Sequence, residues 1–480
     1  MAAQRPSGAA EPALALAPCR LDQAQRLLSL PAECGWLAVP ENRTQPGARQ
    51  IRLFVARIPS LSRRHRPDPL FLLAGGPGLG ASDFYPNVSA AFLRIHRDRD
   101  IVLVDQRGTG RSNPLTCAVD ENAIWDSSTA RIAEVMADCR HALESHADVA
   151  LYTTSIAVAD LDAVRVALGY ARINLYGSSY GTRVAQQYLR RHPDATRAVI
   201  LDGVVPPQLA LGPASPLDAQ HALEQVLARC NADAACHAQF GDPQADYEAL
   251  RTKLLREGVR VAVPDPRSGE TVTLDFSMPA FATALRLASY SAEQAALLPL
   301  ALHLAQVEGR YQPLASQFLL ATTTYGELLA YGMHNSVVCA EDVPFFAGHV
   351  DRARLARSFL GTAQVDALVA ICSAWPRGPM DTDLHAPLDS DVPALLLSGG
   401  ADPVTPAAYG ALAAKGFHHA LHLVLPDQGH GQLGAPCMDR VMLAFLNAAA
   451  RPESLQTLDR SCLEAVKPPP FFLSLSGPAP

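Results

Sequence analysis

The sequence predicts an α/β protein: a mostly parallel, twisted sheet interrupted by a mainly helical insertion. Three observations carry this. Short, continuous apolar runs alternate with stretches of helical periodicity, as in parallel strands covered on both faces. The pentapeptide Gly177-Ser178-Ser179-Tyr180-Gly181 separates a strand-like run from a helical one. The strand rhythm stops after about Val205 and resumes only past Pro387.

In chain order the strands are Gln50 to Ile58, Pro69 to Leu73 (PLFLL), Ile101 to Asp105 (IVLVD), Ile173 to Tyr176, Ala198 to Asp202 (AVILD), Ala394 to Ser398 (ALLLS) and Leu421 to Leu425 (LHLVL). Between them, Leu161, Val164 and Leu168 sit at helical spacing and Gly169 ends that helix. A second helix carries Val184, Ala185 and Tyr188 and stops at His192-Pro193. The strand-poor stretch carries helical patterns such as Ala219, Leu223, Val226 and Leu227, and one hairpin, VRVAV and TVTLD around DPRSGE. So long a segment cannot be a loop. Residues 1–205 and 387–480 are therefore the two parts of the sheet domain, and residues 206–386 an inserted helical lid. The Pro-rich tail from Lys467 is expected to be extended, with Phe471 and Phe472 docked and the last residues disordered.

Composition narrows the function classes. With 480 residues and 49% hydrophobic content the chain can bury a large core. A net charge of -7 and a pI near 6.1 provide no basic field, which argues against nucleic acid as a partner. No apolar run approaches the roughly 20 residues of a membrane span. The N-terminus lacks a basic start and a sustained hydrophobic stretch, so either the protein stays in the cell or an export signal has been trimmed.

The ten cysteines favour the second. None forms a CxxC pair and no His/Cys cluster has zinc-ligand spacing, so neither a metal nor another cofactor is expected. Their spread as five sequential neighbours suggests five local disulfides in an oxidising, secreted or periplasmic setting. Ten cysteines allow about 900 pairings, and reduced core cysteines are the other reading.

The chemistry begins at the pentapeptide. Glycines two residues either side of a serine fit a strained strand-to-helix elbow that holds Ser179 out for attack. A serine needs a base, and a histidine base needs a carboxylate to fix its tautomer. Asp402 follows the strand ALLLS and His430 follows LHLVL, at the sheet edge that carries Ser179 and in the order Ser, Asp, His. Asp427, three residues before His430, is the rival acid and reads better as a surface residue. Thr405-Pro406 reads as a helix N-cap with proline at the first position. After PLFLL comes Ala74-Gly75-Gly76-Pro77-Gly78, where the backbone can approach a ligand. An oxyanion hole needs two N–H donors: the residue after the nucleophile, Tyr180, supplies one, and Gly76 the other, since Pro77 has none.

With these residues in view, the sequence resembles the α/β-hydrolases of the proline iminopeptidase and tripeptidyl aminopeptidase type, and more the secreted tripeptidyl aminopeptidase branch. The matching stretches are GGPG (75–78), DQRGTGRS (105–112), YTTSIAVADLDAVRVALG (152–169), GSSYGT (177–182), VVCAEDVPF (337–345) and the blocks around Asp402 and His430. Many relatives carry histidine where Ala74 stands and glycine where Ser178 stands, which bears on substrate preference. The resemblance implies an α/β-hydrolase fold and a serine hydrolase that releases residues or short peptides from a free N-terminus. Such an exopeptidase needs a counter-charge for the substrate ammonium, and the adjacent carboxylates Glu341 and Asp342, held by a disulfide at Cys339, are the expected pair. Asp105, Arg107 and Ser112 are expected to organise their loop. The alternative function is a carboxylic ester hydrolase with the same triad, taking a small acyl substrate in place of a peptide.

Overall fold

A computed structural model describes residues 14–23, 27–45, 47–118, 128–326 and 328–478. The main sheet is built from β1 (Ala17–Asp22), β2 (Ser29–Pro40), β3 (Gln50–Ile58), β4 (Leu70–Leu73), β5 (Ile101–Val104), β6 (Ile173–Ser178), β7 (Thr196–Asp202), β10 (Ala394–Gly399) and β11 (Ala420–Leu425). Its order is β1-β2-β3-β5-β4-β6-β7-β10-β11, antiparallel through the first three strands and parallel from β5 onward. β8 (Val259–Pro264) and β9 (Thr271–Phe276) form a separate hairpin in the segment between β7 and β10.

The strand β4 explains why continuous apolar runs are needed. Leu70 and Leu72 point to one face, with Tyr85, Phe92, Val441 and Phe445. Phe71 and Leu73 point to the other, with Leu161, Val164, Val184 and Tyr188. Both sides are fully covered, so no position in the strand can be polar. The helices Thr154–Ala167 and Tyr180–Arg191 cover one face, and Ala81–Val88 and Met438–Ala448 the other.

Register aligns the functional ends. Leu73 of β4 lies opposite Gly177 of β6, Ser178 opposite Asp202 of β7, and Gly399 of β10 opposite Leu425 of β11. The turns that carry Gly75–Gly78, Ser179, Asp402 and His430 thus leave the sheet at one edge, its carboxyl end.

The strands β1 and β2 lie outside the expected set. β2 carries Pro31, Glu33 and an exposed Trp36, and buries only alternate stretches of its length, so it lacks the unbroken apolar signature. The predicted hairpin is present, its turn held by the Asp265 carboxylate accepting from Arg267 and Ser268 N–H. The residues between β7 and β10 have their own core, in which Leu223 and Leu227 of Ser215–Ala232 meet Leu250, Phe281, Leu285, Leu314 and Phe276. The tail docks on this segment: Phe471 is buried under the Arg229 guanidinium, 4.2 Å from its ring centroid, and Phe472 N–H donates to the Ala296 carbonyl. Beyond Phe471 the chain is not extended but turns back through Phe472–Ser474 and Gly477–Pro478; the last two residues lie outside the described ones.

Five disulfides join sequential neighbours: Cys19–Cys34, Cys117–Cys139, Cys230–Cys236, Cys339–Cys372 and Cys437–Cys462. The first ties β1 to β2, and the last ties the start of the helix Met438–Ala448 to the C-terminal segment. Peptide mapping of non-reduced protein is expected to return these five pairs and no free thiol. Titration of ten thiols in native protein would contradict both the pairing and an oxidising compartment.

Candidate active site

The elbow is forced by packing. Ser179 stands at φ 54°, ψ −123°, a region a non-glycine residue occupies at a cost of about 1–3 kcal/mol. A Cβ on Gly177 would run into the Gly181 carbonyl oxygen, and a Cβ on Gly181 into the Leu73 carbonyl oxygen, so both positions require glycine. Hydrogen bonds hold the strained residue: Ser179 N–H donates to the Asp202 carbonyl (2.8 Å), while Thr182 N–H (2.8 Å) and its hydroxyl (2.6 Å) donate to the Ser179 carbonyl.

His430 and Asp402 meet across the ends of β10 and β11. His430 Nδ1 lies 2.8 Å from Asp402 Oδ2, which fixes Nδ1 as the protonated nitrogen and leaves the Nε2 lone pair free to accept a proton. Asp402 is buried, and its Oδ1 accepts Val404 and Thr405 N–H at 2.8 and 2.9 Å. Thr405 does not cap a helix. Its hydroxyl donates to Asp402 Oδ2 (2.8 Å) and lies 3.1 Å from His430 Nδ1, while Pro406 takes the N-cap position of Ala407–Ala414 without a side-chain bond. Burial alone would pull the His430 imidazolium down; the Asp402 charge and hydrogen bond, with Asp202 behind them, outweigh it and raise its pKa. Asp427 is exposed at the turn.

Two residues that the sequence reading did not single out steady the histidine. Asp202 is buried at the end of β7. It accepts Tyr176 OH (2.8 Å) and Gln432 N–H (2.9 Å to each oxygen), and burial pushes its carboxyl up to about 6. An acid closing the strand beside the one that leads to Ser179 was the available signal. Tyr290, just past the helix Met278–Ala288, accepts His430 N–H on its carbonyl (2.7 Å) and sets its ring edge-on to the imidazole, 5.3 Å between centroids. A Cβ on Gly429 would strike that carbonyl. A backbone acceptor leaves no sequence signal.

The glycine turn lies against the elbow: a Cβ on Gly75 would sit 3.0 Å from Ser179 Cβ, and Gly76 takes φ 107°. Gly76, Ser179 and His430 line one cavity of about 690 Å³. Tyr180 opens the helix, so its N–H belongs to the helix's unpaired first turn, where the dipole also favours developing negative charge. Asp105 accepts Ser82 and Arg111 N–H and the Ser82 hydroxyl, Arg107 pairs with Asp160, and Ser112 accepts Phe54 N–H. All three organise their loop.

Glu341 and Asp342 are elsewhere. Both are fully buried and absent from the cavity wall. Asp342 takes Arg183 at 2.8 and 3.1 Å and Leu211 N–H at 2.7 Å; Glu341 takes Thr154 N–H and hydroxyl at 2.6 and 2.8 Å, with Arg183 3.7 Å away. Their charge is spent on Arg183, on the helix that follows Ser179, so the expectation that they receive a substrate ammonium is corrected. The helix Tyr331–Glu341 that carries Glu341 is bridged through Cys339, so the pair fastens that helix to the elbow. Among the described residues no group of His, Cys, Asp or Glu is placed to hold a metal ion, and no helix is long and apolar enough to cross a membrane.

This chain belongs to the alpha/beta hydrolase fold family, whose model matches residues 68–433. Its sequence is similar to serine protease Hip1 of Mycobacterium tuberculosis, 27% identical over 91% of this chain and 89% of the relative. It is also similar to tripeptidyl aminopeptidase of Streptomyces lividans, 32% identical over 38% of this chain and 36% of the relative, and, over a shorter stretch, to proline iminopeptidase of Xylella fastidiosa, 32% identical over 28% and 32%. Among solved structures, proline iminopeptidase of Mycobacterium smegmatis covers 90% of this chain and 100% of its own at 16% identity, with a TM-score of 0.35.

Proposed function

We propose that the protein is a serine exopeptidase, an aminopeptidase that acts through Ser179, His430 and Asp402. The observation that carries this reading is the Asp402–His430 hydrogen bond beside a strained serine in one cavity. Relatives named as a serine protease and as aminopeptidases support it.

In this mechanism Ser179 Oγ attacks the scissile carbonyl carbon while its proton passes to His430 Nε2. The N–H groups of Gly76 and Tyr180 hold the oxyanion. His430 then returns the proton to the leaving amine as the C–N bond breaks, and Asp402 stabilises the transient imidazolium. Water, deprotonated by His430, attacks the acyl carbon, and as the ester bond to Ser179 breaks His430 returns that proton to Ser179 Oγ. The prolyl or tripeptidyl preference of the named relatives is the finer expectation. The five disulfides favour action outside the cytoplasm.

With Glu341 and Asp342 occupied, Asp83 is the carboxylate we assign to the substrate ammonium. It stands in the first turn of the helix Ala81–Val88, just beyond the glycine turn, and faces the cavity half-buried. Burial raises its pKa against the opposing charge of Arg111, and among the described residues its carboxylate accepts no hydrogen bond. The other two cavity carboxylates are engaged, Asp202 as above and Asp218 by Tyr409 OH at 2.7 Å. Chromogenic amides with free and blocked N-termini, run beside a neutral ester, test the reading. The wild type should prefer the free amine, and Asp83→Asn should erode that preference about tenfold to a hundredfold, the worth of one charge-assisted hydrogen bond. Efficient turnover of blocked amides would favour an endopeptidase, and turnover of esters alone the ester hydrolase. A preference untouched in Asp83→Asn would remove Asp83 from the amine site.

A further inference from the structure

Across the cavity from the sheet, the segment between β7 and β10 contributes a cation. Arg286, on the helix Met278–Ala288, lines the same cavity as Ser179 and His430 and is half-buried. Its Nη1 donates to Gln364 Oε1 (2.6 Å) and its Nη2 to Ser215 Oγ (3.1 Å), so three helices converge to hold the guanidinium. Both acceptors are neutral. Among the described residues no carboxylate lies within ion-pair distance of it; Asp218 acts on it only through space, and its Oδ2 already takes Tyr409 OH.

The fully buried arginines differ. Arg107 is matched by Asp160, Arg99 by Asp68, and Arg183 by Asp342. A partly desolvated guanidinium without a counter-ion is costly to hold, and its planar fork matches a carboxylate better than any other common group. Here it is fixed by neutral acceptors and opens onto the reacting groups, near enough to His430 to oppose the charging of the imidazole.

We propose that Arg286, positioned by Ser215 and Gln364, is a carboxylate-binding subsite, and that the preferred substrate brings a negative charge to it. Resting on the peptidase reading, this makes the substrate a short peptide that carries an ammonium toward Asp83 and a carboxylate toward Arg286. The carboxylate has two possible sources, an acidic side chain or the peptide's own C-terminus.

Three matched pairs test the proposal on the full chain: peptides with Glu or Gln at one position, short peptides with free or amidated C-termini, and aryl esters of glutaric half-acid or pentanoic acid. The quantity read is the ratio of kcat/KM for the charged member to that for the neutral one. In the wild type at least one ratio should exceed unity. Arg286→Gln should lower it about tenfold to a hundredfold, and Arg286→Lys, which keeps the charge but loses the fork, should restore part of it. Dependence in the Glu/Gln pair assigns the side chain, and dependence in the terminal pair assigns the C-terminus. If only the ester pair responds, the subsite stands and the peptidase reading falls. Ratios that stay within about twofold in Arg286→Gln, or a wild type indifferent to charge in all three pairs, would overturn the proposal.

Discussion

Ser179→Ala is expected to lower kcat by about five to six orders of magnitude while leaving the fold intact, because the triad acts as a unit and the alanine has no atom to acylate. A fluorophosphonate probe should label wild-type protein once and the variant not at all. The residual rate should be that of a cavity that still binds substrate and still presents the Gly76 and Tyr180 donors. The substitution also removes only a hydroxyl: the backbone bonds that hold the elbow, from Ser179 N–H to Asp202 and from Thr182 to the Ser179 carbonyl, survive it. Undiminished labelling in Ser179→Ala would place the nucleophile elsewhere.

The largest stability effect is expected at Arg183. Arg183→Met leaves Glu341 and Asp342 buried without their cation, at a cost of about 3–5 kcal/mol in denaturant unfolding. The loss should depend on pH in a definite direction. Burial, working against the Arg183 charge, already pushes the Glu341 carboxyl up to about 7 from an ordinary 4.5, and without the guanidinium it must rise further. Between those values the folded state binds the extra proton, so stability falls as pH rises through the window. The variant should therefore be less impaired at about pH 5 than at pH 8. Neutralising both acids as well, with Glu341→Gln and Asp342→Asn, should recover part of the loss, since the cost lies in the unpaired charges. A penalty below about 1 kcal/mol, indifferent to pH, would mean that the cluster is not ionised as described.

The contrast between Ser179 and the Glu341–Asp342 pair explains what the sequence could disclose. The six parallel strands were legible because each carries a short, largely apolar run, although Asn174 interrupts it in β6 and His422 in the edge strand β11. The strands β1 and β2, at the antiparallel margin, had no such run. Ser179, Asp402 and His430 were legible as candidates because each follows such a strand, and the position of a strand end can be read locally. Glu341 and Asp342 were misjudged because adjacency in sequence does not reveal Arg183, which reaches them from a distant helix. Thr405 was misread for a related reason: a Thr-Pro pair has the local signature of a cap, whereas its hydroxyl bonds a carboxylate three residues back. Asp83 was not singled out from the sequence, where an acid of this kind carries no signal of its own. What sets it apart is that no hydrogen bond reaches its carboxylate among the described residues, which only the packed chain defines.

The bond from His430 N–H to the Tyr290 carbonyl has a kinetic corollary. His430, the proposed base, follows β11, yet one of its restraints comes from the segment between β7 and β10, so any movement of that segment away from the sheet would also release His430. An excursion of that segment wide enough to break the bond would admit substrate to a site whose imidazole is no longer fully restrained. The protein would thereby idle when open and become competent on closing, and water entering an empty, open cavity would meet a misaligned base. Ligands small enough to enter without parting Tyr290 from His430 would escape this gate, whereas longer ones would have their turnover timed by it.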